Sequence, residues 1–472
     1  MKTRIVLIPI TLLCVAIASV QSARAATITV TNTKDSGPGS LRQVLADAND
    51  GDTINFDSSL NGQKITLTSG ELSVDKDVII SGPGASHLAV DGNAQSRVLS
   101  INPGNTVTIS GLTIENGYTN EPPGGGGIFN YDGTLTVSDC TISGNSGGGI
   151  SNDGFRGGAT LTVTNCTVND NTGTSSGGGG INNGGDEGGA LLTITNSTIS
   201  GNSAGFGGGI ANGGGIDSTA IVTVSNSTLS GNSAEFGGGI GNGAAVSDIS
   251  EVTVSNSTLS GNSATGNGGG IYNAQGGATL ELSNTIVNAG SSGENIFNDG
   301  GTVSSHGYNL TSDDGGGYLT GPGDQINTDP ALGPLQDNGG PTFTHALLLG
   351  SPAINAGDPS FTPPPFYDQR GLGFDRVVNG RIDIGSLEVQ TQIHLQASGR
   401  KVGGINTVLL TWSGTTSANT DVYRNGALIV TTVNNGSYRD STGDTGRARY
   451  TYRVCEAGTD TCSNNARVTF RQ

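Results

Sequence analysis

An all-β fold is predicted for this chain: a right-handed parallel β-helix with three short strands per coil and an N-terminal capping helix, followed by a small β-sandwich. Three observations predict it. Glycine supplies 81 of 472 residues, while aromatics make up 5% and charged residues 13%. Large side chains are too few for one globular interior, which favours a thin core of repeated small aliphatics. A segment of related sequence then recurs without gaps, and a second motif, GGGI followed shortly by Asn, recurs in the same phase. The glycine follows no G-X-Y period, which excludes collagen, and the short apolar runs argue against wholesale disorder.

Taken in order, residues 1–25 read as a signal peptide. Lys2 and Arg4 precede an apolar run from Ile5 to Val20, and Ala23-Arg24-Ala25 has the small-x-small form of a cleavage site. Cleavage after Ala25 predicts an exported, extracellular or cell-surface protein with no transmembrane segment in the mature chain. Next, SLRQVLADAND from Ser40 is the one convincing helix. Ser40 is its N-cap, and Leu41, Leu45 and Ala48 share a face that suits the lid of a solenoid.

The repeats follow. LTVSDCTISGN begins at Leu135, LTVTNCTVNDN at Leu161, LTITNSTISGN at Leu192, and VTVSNSTLSGN at Val222 and again at Val252. Weaker relatives begin at Val107 and Leu280. Equivalent positions fall 26–31 residues apart, and GGGI ends at Ile128, Ile150, Ile181, Ile210, Ile240 and Ile271. Variable loops between constant strands are how a solenoid tolerates insertion, and the period holds no helical pattern.

Alternation points Leu135, Val137, Leu161, Val163, Leu192 and Ile194 inward, with Ile142, Val168, Ile199, Leu229, Leu259 and Val287 as a second stack. At the corners, Asn165, Asn196, Asn226 and Asn256 are expected to form an internal amide ladder, because Asn tolerates left-handed backbone and its amide bonds upward and downward. Cys140 and Cys166 occupy equivalent positions of adjacent repeats, so a disulfide and stacked free thiols are both open. Cys455 and Cys462 flank a hairpin-like loop and are expected to pair.

Residues 322–391, Pro-rich and irregular, suit a last coil and a C-terminal cap. The charge then changes: 26–391 hold nine basic and 34 acidic residues, whereas 392–472 hold nine basic and five acidic. That break divides a β-helix over 26–391 from a module over 393–472. A net −25 on the larger part repels nucleic acid and anionic membranes. In the module, VLLTWSG, DVYRNG, LIVTTV, ARYTYRVCEAG and ARVTF read as short alternating strands, with Trp412 as their core residue.

SGPGSLRQVLADANDGDTINF, the GGGI-Asn and NSTLSGNSA units, and NTDPALGPLQDNGGPTFTHALLLGSPAINAGD with YDQRG and IDIGSLE resemble the bacterial choice-of-anchor Q β-helix proteins. The GGGI units are also similar to polymorphic outer-membrane protein passengers, though the F-x-x-N partner motif of those passengers is missing. The LTWSG, VYRNG and TYRVCEAGTDTCSN motifs resemble fibronectin type III-like modules. These resemblances imply a secreted or surface β-helix scaffold and carry fold further than activity.

Catalytic chemistry finds little support in the sequence. Polyuronate lyases need cations beside the substrate carboxylate, yet Arg156 is the single Lys or Arg between Arg97 and Arg370. Asn327-Thr328-Asp329, Asp313-Asp314, His306-Gly307 and Arg381-Ile382 resemble galacturonase fragments in a scrambled order. Asp368 and Arg370 in YDQRG read as a cap ion pair. Acidic, Gly-rich loops such as 183–187 offer oxygen ligands to Ca²⁺ without a calcium-repeat motif, and no metal ligand set is assigned. Thr141, Thr167, Thr198, Thr228 and Thr258 are expected to form an outward hydroxyl row, either ordinary strand surface or an array that binds a polysaccharide or ice lattice. The expected function is therefore an adhesive or glycan-binding scaffold without catalysis, with extracellular polysaccharide or cell-surface glycans as partners. The alternative is an extracellular polysaccharide lyase or glycoside hydrolase on the same fold.

Overall fold

The computed structural model describes residues 25–472 apart from 176, 186, 214, 216–217, 244–248, 349, 379, 391–392, 416, 460–461, 464 and 472. The leader read over 1–25 lies outside the described residues except for Ala25.

Like residues stack over like residues, and three parallel sheets result. Face 1 runs from Thr27–Val30 to Thr302–Ser305 in eleven strands. Face 2 runs from Gln63–Thr66 to Leu310–Thr311, and face 3 from Leu72–Val74 to Ile296–Asn298 in nine strands. Leu135 pairs with Leu161 and Leu161 with Leu192 on face 1, Ile142 with Val168 on face 2, and Ile150 with Ile181 on face 3. All of these side chains are fully buried, each contributing about 1.5–3 kcal/mol. The predicted helix forms over Leu41–Asp47 and buries Leu41, Val44 and Leu45; Ser40 Oγ accepts from Gln43 N at 3.2 Å, which fixes its start.

The corner asparagines do not build the ladder expected of them. Asn165, Asn196, Asn226 and Asn256 have φ of 54°, 50°, 48° and 47°, so each turns the chain and sends its amide outward. One contact joins two of the four, Asn226 Nδ2 to Asn196 Oδ1 at 3.4 Å. The inward amides belong to other positions. Asn145, Asn171, Asn202, Asn232 and Asn262 are linked Nδ2 to Oδ1 at 2.8–2.9 Å, and each receiving Oδ1 also accepts the backbone N–H of the donor residue. A second column, Asn130, Asn152, Asn183, Asn212, Asn242, Asn273 and Asn298, is linked at 2.7–2.9 Å. Apart from Asn130 Oδ1, which ends its column without a hydrogen-bond partner among the described residues, these columns satisfy the polar groups that a solenoid interior would otherwise orphan. Cys140 and Cys166 are free, buried thiols. Cys140 N donates to Cys166 Sγ at 3.4 Å, in the place that serine hydroxyls take higher up, as where Ser197 N donates to Ser227 Oγ at 3.2 Å.

The irregular segment 322–390 differs from the expected end cap. It turns back along face 2 and lies over Thr198, Thr228 and Thr258 of the threonine row, which leaves only Thr141 and Thr167 half-exposed. Thr141 pairs with Thr167, and the register continues through Thr198, Thr228 and Thr258 as predicted, but the last three are only 0–2% exposed. Thr198 Oγ1 donates to Phe343 O at 2.6 Å and accepts from Gln369 Nε2 at 2.9 Å. Thr228 Oγ1 donates to Gln369 Oε1 at 2.6 Å, and Ser386 N donates to Thr258 Oγ1 at 3.0 Å. The row's hydroxyls serve as the partners that an irregular backbone requires.

Residues of the C-terminal module form two antiparallel sheets. His394–Val402, Ile405–Ser413 and Ser437–Ser441 make one; Ala427–Val433, Asn419–Arg424, Ala448–Glu456 and Ala466–Phe470 make the other. Their shared core holds Trp412, Val422 and Tyr452, with Trp412 Nε1 donating to Asn434 Oδ1 at 3.2 Å. The Cys455–Cys462 disulfide is formed, as expected.

Candidate functional site

Face 3 carries the site. From Ile128 onward its strands read Ile-x-Asn: Ile enters the core, Asn joins the second amide column, and x points outward. In register along the face, x is Phe129, Ser151, Asn182, Ala211, Gly241, Tyr272 and Phe297. Four small or short residues thus lie between the aromatic ones, and glycine-rich loops pack closely over Ser151, Ala211 and Gly241, which are buried. Phe129 and Tyr272 are five rungs apart, about 24 Å at ~4.8 Å per rung.

Loops on either side form a cleft of about 780 Å³, lined among others by Phe155, Asn182, Phe206, Phe236, Asp153 and Glu235. Glycine is required at its floor. A Cβ at Gly241 would lie 2.8 Å from the Phe206 ring, and one at Gly213 would lie 2.2 Å from Gly243 O. Phe206 and Phe236 each approach Tyr272, with centroids 6.1 and 5.3 Å away, and Tyr272 stacks on Phe297 at 5.8 Å. At the other end Tyr131 bridges Phe129 and Phe155 at 5.7 and 6.3 Å. Burial, then the neighbouring Asp299 carboxylate, pushes the Tyr272 phenol up, and its Oη donates to Asp299 Oδ2 at 3.1 Å. The phenol is a neutral donor at ordinary pH.

The cleft's chemistry is aromatic rings, an amide, backbone peptide groups and two carboxylates. Rings accept the apolar faces of sugars, and the polar groups hold hydroxyls. The nearby Arg156 is engaged by Glu187 at 2.7 Å and lies 4.8 Å from the Phe155 centroid. Among the described residues no group of three His, Cys, Asp or Glu is placed to hold a metal ion.

Of the residues singled out in the sequence as binding groups, only Gly184 and Gly185 of the acidic loop 183–187 line this cleft. The threonine row is on face 2, and Asp313 is occupied by Asn295 N at 2.8 Å and Thr311 Oγ1 at 2.8 Å. Asp368 and Arg370 form the expected ion pair at 2.6 Å, buried in the returning segment. The signal that marks the cleft is the variable residue of Ile-x-Asn.

A right-handed parallel β-helix carrying an open aromatic cleft is what fold and site define together. Residues 75–221 match the family model described as a right handed beta helix region. Pectate lyase Pel9A is similar at 14% identity and a TM-score of 0.44, over 77% of this chain and 96% of the lyase. ORF18 of Geobacillus virus E2 is similar at 8% identity and a TM-score of 0.33, over 94% of this chain and 76% of the viral one. No curated protein matches the chain.

Proposed function

We propose that this protein is an exported β-helix scaffold, acting outside the cell or at its surface, that holds a polysaccharide in the face 3 cleft without cleaving it. The observation that carries the reading is the cleft over Asn182 and Ala211, lined by the rings of Phe155, Phe206 and Phe236. Extended sugar chains suit a groove with ring platforms along it. The leader-like residues 1–25 and the resemblance to choice-of-anchor Q proteins support export. Lining carboxylates Asp153 and Glu235 favour a neutral chain over a polyuronate.

Those same two carboxylates support a second reading, a glycoside hydrolase, since hydrolysis uses a carboxyl pair flanking the scissile bond. The readings separate in a screen for product release from soluble polysaccharides, with and without Ca²⁺. The scaffold account expects no release from any of them. Release abolished by Asp153→Asn or Glu235→Gln would replace it with the hydrolase.

A further inference from the structure

A second surface, independent of the cleft, lies on the four-stranded sheet of the C-terminal module. Alternation along Ala448–Glu456 buries Tyr450, Tyr452 and Val454 and exposes Arg449 and Arg453. On the neighbouring strand Ala466–Phe470, Arg467 is exposed between buried Ala466 and Val468. The register sets Thr451 opposite Arg467 and Thr469 opposite Arg449. Three guanidiniums therefore follow one another along about 14 Å of strand, four residues at ~3.4 Å each. Arg453 faces Tyr423 on the third strand, 5.5 Å from its ring centroid.

None of the three forms an ion pair among the described residues, although Arg424 of the same sheet pairs with Asp440 at 2.8 Å. Asp421, an acidic group on this face, accepts from Thr431 Oγ1 and Gly458 N. The module holds nine basic and five acidic residues, against nine and 34 in residues 26–391. Unpaired arginines on a flat sheet, interleaved with hydroxyls and an aromatic ring, form an anion-binding strip.

The geometry points to a polyanionic polysaccharide as the occupant, lying along the Arg449–Arg453 strand. Such a chain uses every feature of the strip: acidic groups meet the guanidinium forks, hydroxyls meet Thr451 and Thr469, and a sugar face covers Tyr423. The net −25 of the remainder does not forbid this, because at physiological salt the Debye length is only about 8 Å. The module would then tether the scaffold to an acidic glycan layer and leave the face 3 cleft for a different, neutral chain.

The test is retention of the full chain on immobilised polygalacturonate, compared with the triple variant Arg449→Gln, Arg453→Gln, Arg467→Gln. The parent is expected to bind at low salt and elute as salt rises. The variant should bind about tenfold more weakly, with an unchanged melting temperature and unchanged binding of neutral polysaccharide. Equal retention of parent and variant overturns the proposal. So does equally tight, arginine-dependent retention on single-stranded DNA, which would make the strip a general polyanion binder. Concentration-dependent self-association abolished by the triple variant also overturns it, in favour of the acidic flank of a second copy.

Discussion

Asn202 and Asn196 have the same side chain, six residues apart, and do different work. Asn202 Oδ1 accepts from both Asn171 N and Asn171 Nδ2, and its own Nδ2 donates to Asn232 Oδ1 and Val168 O. Asn196 sits at a left-handed corner with φ of 50°. Asn202→Leu leaves buried groups orphaned above and below, at roughly 1–3 kcal/mol each, so the expected loss is about 3 kcal/mol or more. Asn196→Ser loses mainly the left-handed preference, about 1 kcal/mol. Urea unfolding midpoints of the two variants check the order; a larger loss at Asn196 would contradict it. The sequence pattern that marks inward polar residues was present in both recurring motifs, as the Asn of Ile-x-Asn and of Ser-Gly-Asn. The corner asparagines were more conspicuous because they sit beside Ser or Thr, but positive φ turns them away from the core.

At the scale of elements, strand positions and register were legible throughout the repeats, since period-two alternation within a 26–31-residue period leaves one solution. What covers a strand was not legible. Gln369 reaches Thr198 across 171 residues of chain, and nothing periodic in residues 322–390 announces which face they will meet. This returning segment also concentrates buried charge. Arg376 is fully buried, and Asp383 and Glu388 are 1% exposed. Burial, with a smaller push from Asp383, raises the Glu388 carboxyl to about 9. Burial likewise raises Asp383 to about 6, against the backbone N–H groups of Asn355 and Val389 that favour its charged form. Both folded-state values lie above ordinary carboxylate values, so the folded segment binds more protons than the released one. Its stability is therefore greatest below the usual carboxylate range and falls as pH rises through about 6 and then about 9. Hydrogen-exchange protection at Gln369 and Ser386 is expected to decline over that window, and Glu388→Gln should flatten the upper part of the decline. Protection that increases from pH 6 to 9 in the parent would contradict the assignment.

For the molecule as a whole, composition was the most informative part of the sequence. Few large residues and abundant glycine exclude a thick core, and the recurring aliphatics supply a thin one whose inward columns are fully buried. The charge changes near residue 391, just before the antiparallel sheets of the C-terminal module begin at His394, whereas the parallel sheets end at Thr311 and an antiparallel pair at 332–347 lies between. The cleft was harder to find, because it is defined by what is missing: Asn182 and Ala211, which line it, are smaller than Phe129 and Tyr272 on the same column. Phe206 and Phe236 then reach it from outside the repeated motif, on segments that pair with each other through an isolated bridge. Binding to this cleft is the central claim, and calorimetric titration of the full chain with a panel of soluble neutral polysaccharides tests it most directly. At least one member should bind saturably, and Phe206→Ala with Phe236→Ala should weaken that binding about tenfold or more while leaving the melting temperature within a few degrees. Affinity that is the same in the parent and the double variant would contradict the account.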